Sequence, residues 1–139
     1  MPLLTQQFDP SIGPIITVEF ALPASIHIDE NDPPPREAVN MLIDTGASAT
    51  SMTSSVADNL GLPVLGLRPL TSVTETAKVR EYLADMYLPI GSVPYHLTDL
   101  RIIEFPMGNP NVGGLLGRDL LQYGMFHMNG ASRIYTIGF

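Results

Sequence analysis

The stretch Met41-Leu42-Ile43-Asp44-Thr45-Gly46-Ala47-Ser48 decides how this 139-residue chain is interpreted. An apolar run leads directly into an acid, a hydroxyl and a glycine. This order predicts a buried strand that ends in a tight loop presenting one carboxylate, that of Asp44, because glycine has no Cβ and lets the backbone approach closely. The element occurs once in the chain. If Asp44 acts together with a second carboxylate, that partner must come from another copy of the chain.

Length and composition predict a single domain over residues 1–139, large enough to bury a core. The absence of cysteine excludes disulfides and thiolate metal sites. The net charge of −7, with Lys78 as the single lysine, argues against nucleic acid and anionic membranes as partners. The sequence shows neither a signal peptide nor an apolar run of membrane-spanning length. We therefore expect no membrane contact and a cytoplasmic location.

Thirteen prolines and twelve glycines divide the chain into short segments, which is typical of an all-β domain with one or two short helices. Apolar and β-branched residues predict strands over 15–22 and 38–43, paired antiparallel. The polar, proline-containing segment 23–36 between them is expected to be an exposed hairpin loop. Residues 1–14 are expected to form an extended N-terminal segment.

Alternating apolar residues from Tyr82 to Ile90 predict a long half-buried strand. The polar, β-branched segment 70–77 is expected to form the other arm and the tip of a hairpin. On the alternating strand, Tyr82 and Met86 are expected in the core. Three acids in this part of the chain are expected to be solvated: Asp85, Asp99 and Glu104.

The segment 53–63 carries the strongest helix signal. A hydroxyl is available to cap its start, Gly61 suits a left-handed position after its end, and Pro63 prevents continuation. Towards the C-terminus we expect strands over 96–105 and 114–117, a loop over 106–113, a brief helix over 118–123, and a hairpin of 125–128 with 134–139 across Asn129-Gly130.

Peptide hydrolysis without a metal or a nucleophilic side chain requires an activated water, and two close carboxylates sharing one proton can activate it. The ionised carboxylate accepts a proton from water, and the protonated one polarises the substrate carbonyl. Such a pair favours acid to near-neutral pH. An isolated Asp-Xaa-Gly is also an ordinary surface turn, so Asp44, Thr45 and Gly46 alone do not establish this chemistry.

A second stretch, Leu115-Leu116-Gly117-Arg118, has an apolar-apolar-Gly-Arg order. Together with Leu42 to Ala47, its order and separation resemble the two hallmarks of the retropepsins, the retroviral-type aspartic proteases. The resemblance extends over residues 15–139. The run 78–82 is similar to the descending arm of the family's flap, so a flap is expected within 70–82.

The resemblance implies a closed β-barrel of the acid protease fold that forms a homodimer with a shared cleft. It implies that Asp44 is catalytic and that Thr45 clasps its counterpart across the dimer axis. Gly117 would permit close packing beneath the loop. The residues implied to bind substrate are Gly46, Ala47 and Ser48 in the loop, and Ser72, Val73 and Thr74 at the flap tip.

Three features depart from the family pattern. The flap tip lacks the glycines common in retroviral enzymes. Ser48 occupies a position where many retroviral members carry an acid, so Arg118 lacks an expected ion-pair partner. The loop 23–36 and the N-terminal segment lengthen the chain; the loop either shapes the edge of the cleft or is solvated, and solvation is the favoured interpretation. Asp119 is expected to support the first turn of the following helix rather than to take part in catalysis.

The predicted function is that of an aspartic endopeptidase, active as a homodimer on extended, partly apolar peptide or protein substrates. No metal and no cofactor are expected, because His27, His96 and His127 show no ligand spacing. Two alternatives stay open: a non-proteolytic dimerisation or peptide-binding module with the same fold, and a protease domain whose flanking regions regulate dimerisation.

Overall fold

The structure is a computed structural model that describes residues 1–27, 29, 31–71, 74–105 and 110–139. Strands dominate this part of the chain, as predicted, and neither of its two helices is long and apolar enough to cross a bilayer. The elements are β1 (Leu3–Gln7), β2 (Ile15–Ala21), β3 (Arg36–Ile43), β4 (Ser51–Met52), α1 (Ser54–Leu60), β5 (Val64–Thr71), β6 (Thr76–Leu88), β7 (Tyr95–Glu104), β8 (Gly114–Leu116), α2 (Arg118–Leu121), β9 (Met125–Asn129) and β10 (Ile134–Gly138).

The larger sheet closes into a barrel. Its strand order is β2-β3-β8-β4-β7-β6-β5, and an additional pairing of β2 with β6 joins the ends of a six-stranded cylinder, leaving β5 outside as an edge strand. The predicted antiparallel pairing of β2 with β3 is confirmed, with Ile16 opposite Met41. The predicted closed β-barrel is therefore confirmed.

The core fills the barrel interior because alternate side chains of each strand face inward. On β2, Ile16 and Phe20 are fully buried, whereas Thr17 between them is exposed. The predicted core positions Tyr82 and Met86 are confirmed. The barrel core also contains these large side chains: Met41, Met52, Leu88, Ile90, Ile102 and Leu116.

Helix α1 lies where its sequence signal predicted it. Gly61 follows it with φ +66°, the left-handed conformation that glycine adopts without strain, and the Gly61 amide closes the last turn. The expected hydroxyl cap is wrong, because Thr53 occupies the N-cap position but makes no side-chain capping bond. Its hydroxyl lies 3.1 Å from that of Ser55 instead.

Strands β5 and β6 form a hairpin, paired from Val64–Tyr82 to Thr71–Thr76. The first arm is longer than the predicted segment 70–77, since it begins at Val64 and crosses a register shift before Gly66. The sequence prediction missed this part because its apolar side chains are exposed and follow no alternation.

Strands β1, β10 and β9 form a separate three-stranded sheet, and the predicted hairpin of β9 with β10 is confirmed. Its turn differs from the predicted Asn-Gly type, because the left-handed residue is Arg133 (φ +57°) rather than Gly130.

The Tyr135 hydroxyl lies 2.8 Å from Gln6 Oε1 and 2.6 Å from the Ile15 carbonyl, which ties this three-stranded sheet to the barrel. Burial raises the pKa of Tyr135 to about 12.

The prediction that Asp85 is solvated is wrong. Its side chain is 1% exposed, and its two oxygens accept hydrogen bonds from the amides of Ala24 (3.1 Å) and Asp99 (2.9 Å). His96 Nε2 lies 2.9 Å from its Oδ2. Asp85 therefore fastens the start of the β2–β3 loop to strand β7, a role that requires burial. The expectation for Asp99 is confirmed, since it is exposed, whereas Glu104 is half-buried.

Candidate active site

The two hallmark stretches of the sequence lie side by side. Strand β3 pairs in parallel with β8, which places Leu42 opposite Leu115 and Ile43 opposite Leu116. The paired residues, 41–43 of β3 and 114–116 of β8, carry no polar side chains and are buried or half-buried in the barrel wall. Where β3 ends, the amide of Asp44 donates to the Leu116 carbonyl at 3.0 Å. The pairing therefore extends to the residue that carries the carboxylate.

A tight turn holds the Asp44 carboxylate. The Ala47 amide donates to the Asp44 carbonyl at 3.1 Å, and the Gly46 amide donates to Asp44 Oδ1 at 2.8 Å. A Cβ added to Gly46 would lie 3.1 Å from Oδ1, so any larger residue would press on the carboxylate. Asp44 is half-buried, while Thr45 and Gly46 are exposed. The turn thus presents an oriented carboxylate to an accessible surface.

Arg118 secures the loop through the main chain. Its amide donates to the Ala47 carbonyl at 2.8 Å, and its guanidinium Nη1 donates to the Thr45 carbonyl at 2.7 Å. The role that the sequence left open for Arg118 is therefore structural, and it needs no acid at position 48. A guanidinium hydrogen bond to a carbonyl is charge-assisted and stronger than a neutral one.

A partly buried hydrogen-bond network supports the loop from beneath. The Thr50 hydroxyl donates to Asp119 Oδ1 at 2.7 Å and accepts from the Gly117 amide at 3.1 Å, while the Thr50 amide donates to Asp119 Oδ2 at 3.0 Å. A Cβ on Gly117 would lie 2.7 Å from the carbonyl carbon of Ala49, so glycine is required for this close approach.

Asp119 has both a predicted and an unpredicted role. It also accepts from the Leu120 amide at 3.0 Å, which agrees with the expected support of the helix start. Thr50, which is fully buried, was missed by sequence reasoning. No local signal identifies it, since its partner is 69 positions away in the chain.

A cavity of about 260 Å³ opens beside the loop, between it and the tip end of the β5–β6 hairpin, where Leu70 and Thr71 lie. Three predicted substrate residues, Gly46, Ala47 and Ser48, line it. Thr74 is exposed near the hairpin tip and does not line this cavity, whereas Ser72 and Val73 lie outside the described residues. The lining is completed by Ala49, Ser51, Leu70, Thr71, Ile103, Glu104, Phe105 and Leu115.

A second recess, of about 280 Å³, lies on the other side of the loop. Its lining is predominantly apolar and consists of Thr45, Arg118, Leu121, Gln122 and Phe126. A larger cavity of about 470 Å³ lies between β3, α1 and the segment before β8, and no residue of the Asp44 loop lines it.

Among the described residues, no three His, Asp or Glu side chains cluster in a way that would hold a metal ion.

Comparison with known proteins agrees with this geometry. A family model described as aspartyl protease matches residues 24–120, which is more than half of the chain. The crystal structure of a retropepsin-like aspartic protease from Rickettsia conorii superposes with a TM-score of 0.57 at 14% sequence identity, covering 97% of this chain and 89% of that one. No curated protein sequence matches the chain significantly.

The chain belongs to the aspartyl protease family, and its barrel has the retropepsin-like fold. The resemblance deduced from Leu42 to Ala47 and Leu115 to Arg118 is confirmed at the level of family and fold.

Proposed function

We propose that the protein is an aspartic endopeptidase whose catalytic pair consists of two Asp44 carboxylates, one from each subunit of a homodimer. One observation carries this proposal. Asp44 is the acid at the end of β3, held in a turn by the Gly46 amide and braced by Arg118, with an accessible side. An immobile, accessible carboxylate is what water activation requires.

In the proposed reaction, the two carboxylates share one proton because like charges a few ångströms apart do not both ionise readily. The ionised member takes a proton from a water molecule, which attacks the carbonyl carbon of the substrate. The protonated member donates its proton to the carbonyl oxygen, which gives a diol. The proton taken from water then passes to the leaving nitrogen as the C–N bond breaks, and the second carboxylate recovers a proton from the diol. Apparent pKa values then belong to the pair rather than to one residue.

The recess beside Thr45 supports a second copy of this chain as the partner. Thr45 is exposed, and Leu121 and Phe126 provide an apolar surface directly next to it. A two-fold axis through this surface brings the two Thr45 residues together and places the two Asp44 loops side by side. In this arrangement the Thr45 residues of the two subunits contact each other across the axis.

Substrate would enter the cavity beside Gly46, Ala47 and Ser48. Extended peptides fit because backbone groups of the loop and of the β5–β6 hairpin can bind them as an added strand. We propose that this hairpin acts as the flap, with Thr74 near its tip contacting the bound peptide. Gly46 would contact the substrate backbone through its carbonyl.

A mixing experiment tests the shared pair. Inactive Asp44→Asn chains are mixed with wild type under conditions in which subunits exchange, and cleavage of a denatured protein is measured at acid pH. With equal amounts and random pairing, about one quarter of the wild-type activity at the same total concentration remains, because only that share of dimers has two aspartates. Independent monomers would retain one half.

Asp58→Asn is the matched control, since Asp58 is exposed on helix α1, outside the loop. Mixtures containing this variant should keep full activity.

Light scattering should show a dimer for wild type and a monomer for Leu121→Glu, which places a charge in the apolar recess. An Asp44→Asn chain that cleaves as fast as wild type would refute the proposal. Binding of peptides by wild type without any cleavage would instead favour a peptide-binding module.

A further inference from the structure

A cavity of about 330 Å³ lies between strands β5 and β7 and the end of helix α2. Its lining is predominantly apolar. Among the described residues, it shares no lining residue with the cavity beside Gly46 or with the recess beside Thr45, so it is a separate pocket. The described residues that line it are Arg68, Asp99, Leu100, Arg101, Ile102, Asp119, Leu120 and Tyr123.

The apolar part of this cavity has room for a ligand. Ile102 and Leu120 are buried in its wall, and Leu100 is half-buried beside them. Tyr123 also lines the cavity but is 76% exposed, so most of its ring still faces solvent. An apolar cavity of roughly 150 Å³ is enough to bind benzene, and a ring such as that of Tyr123 contributes a large contact area when it is covered. A phenyl or branched alkyl group therefore fits.

Two arginines add positive charge to this cavity. Arg68 Nη1 donates to Glu81 Oε2 at 3.3 Å, and Arg101 Nη1 donates to Glu81 Oε1 at 3.2 Å, so one carboxylate on β6 bridges two guanidiniums on the neighbouring strands. Each guanidinium has five N–H donors, and within the described part of the chain these two arginines make no other side-chain hydrogen bond. The pair therefore has donors left for a second carboxylate.

The two acids in the lining do not use these donors. Within the described ranges, neither Asp99 nor Asp119 forms an ion pair with an arginine. The Asp119 oxygens accept from Thr50 and from the Leu120 amide, and Asp99 Oδ1 accepts from the Ser25 hydroxyl at 2.7 Å. Neutral donors thus hold both acids. The charge of the exposed Asp99 would still repel an anion in the cavity, which gives a test of sign.

We propose that this cavity binds a carboxylate that carries an apolar group, with the apolar group against Leu100 and Leu120 and the carboxylate on Arg68 and Arg101. Charge-assisted hydrogen bonds from guanidinium to carboxylate are strong and directional, so they fix the charged end of such a ligand. The same chemistry occurs in free organic acids and at the C-terminus of a peptide that ends in an apolar residue. The inference is independent of the proposed function, because no residue of the Asp44 loop takes part.

The simplest test uses 3-phenylpropionate as the probe and follows backbone amide shifts of the full wild-type chain by NMR. We expect a Kd of about 1 mM or tighter, which is usual for a ligand of about eleven non-hydrogen atoms. The shifted amides should be those of residues 99–102 and 119–123. Shifts centred on residues 44–48 instead, or no shift at about 10 mM probe, would overturn the site.

Two matched compounds separate the parts of the probe. The amide 3-phenylpropionamide lacks the charge, and acetate lacks the ring. Each should bind at least about tenfold more weakly than 3-phenylpropionate, because each loses one of the two contributions. Equal affinity for the acid and its amide would overturn the role of the arginines.

Variants of the arginines test the charged end directly. Arg68→Gln and Arg101→Gln should each weaken 3-phenylpropionate binding by about tenfold, since each removes a charge-assisted contact. Both residues are exposed, so the variants should fold. Arg133→Gln is the matched control, because Arg133 is exposed in the turn between β9 and β10. Unchanged affinity in both variants would refute the proposal.

Asp99→Asn should have the opposite effect and tighten binding by about two- to threefold, because it removes a like charge next to the ligand. Asparagine can keep the bond from Ser25, and it tolerates the left-handed backbone of residue 99 (φ +54°). Asp58→Asn on helix α1 is the control. Unchanged or weaker binding in Asp99→Asn would overturn the placement of the ligand carboxylate in this cavity.

The two sources of the ligand are distinguished in the Asp44→Asn chain, which should leave peptides uncut. N-acetylphenylalanine is compared with a five-residue peptide that ends in phenylalanine, as the free acid and as the C-terminal amide. Tighter binding of the peptide acid identifies a peptide end as the ligand, and tighter binding of N-acetylphenylalanine identifies a free acid. Either result supports the site if Arg101→Gln weakens it. Binding of the peptide amide as tightly as the peptide acid would count against it.

Discussion

The surroundings of Asp44 and those of Asp85 show two opposite uses of the same side chain. Both oxygens of Asp85 are occupied by the Ala24 and Asp99 amides and by His96, and the residue is 1% exposed. Asp44 accepts from the Gly46 amide on Oδ1, and within the described part of the chain its Oδ2 has no hydrogen-bond partner.

The difference lies in how many carboxylate oxygens already accept a hydrogen bond within the chain. A carboxylate whose two oxygens both accept hydrogen bonds fixes the chain around it. A carboxylate held by one amide keeps its orientation while one oxygen stays available. Asp44 is the candidate catalyst because its carboxylate is held in place while one oxygen stays free. Asp85 is a structural residue because both of its oxygens accept hydrogen bonds.

Replacing Asp44 should give the largest effect on activity. Asp44→Asn is nearly isosteric and can still accept from Gly46, so the melting temperature should hardly change, whereas cleavage should fall by at least about 1,000-fold because proton transfer is lost. Peptide cleavage and thermal unfolding of the same preparation give both values. If Asp44→Asn retained cleavage, the assignment of Asp44 as the catalytic acid would be contradicted.

Replacing Asp85 should give the opposite result. In Asp85→Asn the amide group brings donors against the donors that surround it, so the free energy of unfolding should fall by about 2 kcal/mol. Urea denaturation measures this change, and cleavage per folded molecule at low temperature should stay near wild type. A stability equal to that of Asp58→Asn, the exposed control, would contradict the structural role.

The close packing beneath the Asp44 loop should also be measurable. Gly117→Ala places a Cβ 2.7 Å from the Ala49 carbonyl carbon, which forces the backbone apart and should cost about 1–3 kcal/mol. Gly130→Ala is the control, since nothing lies within 4 Å of its added Cβ. Equal denaturation midpoints for the two variants would show that the loop is not closely supported. A loss of activity larger than the loss of folded protein would show that the packing positions Asp44.

The smallest expected effect concerns Tyr135, a buried group away from both acids. Its pKa is raised from 10.0 to about 12 by burial, so the folded state holds this proton more tightly than the unfolded state. The stability associated with this shift is present below pH 10 and is lost as the pH rises towards 12. At pH 8, wild type should exceed Tyr135→Phe by about 1 kcal/mol because of the hydroxyl's hydrogen bonding.

That advantage should shrink between pH 10 and pH 11.5 in urea titrations of the two proteins. Because both chains contain the same remaining tyrosines, the difference between them isolates residue 135. A constant difference across this range would mean that Tyr135 titrates alike in the folded and unfolded states.

The sequence by itself determined the elements whose signals are local. Alternation predicted the long strand β6, Gly61 and Pro63 predicted the end of α1, and the run into Asp44-Thr45-Gly46 predicted the loop. The separation between Leu42 to Ala47 and Leu115 to Arg118 predicted the family and fold. These features depend on neighbouring residues, so a linear pattern contains them.

Only the tertiary structure decided what the polar residues do. Asp85 is buried because β7 and the β2–β3 loop bring it donors, and Arg118 reaches the Thr45 carbonyl from 73 positions away. Thr50 joins Asp119 across 69 positions, and the cavity beside the Asp44 loop combines residues of four separate segments. A hydrogen bond between distant residues leaves no local pattern, because its geometry exists only when the barrel closes.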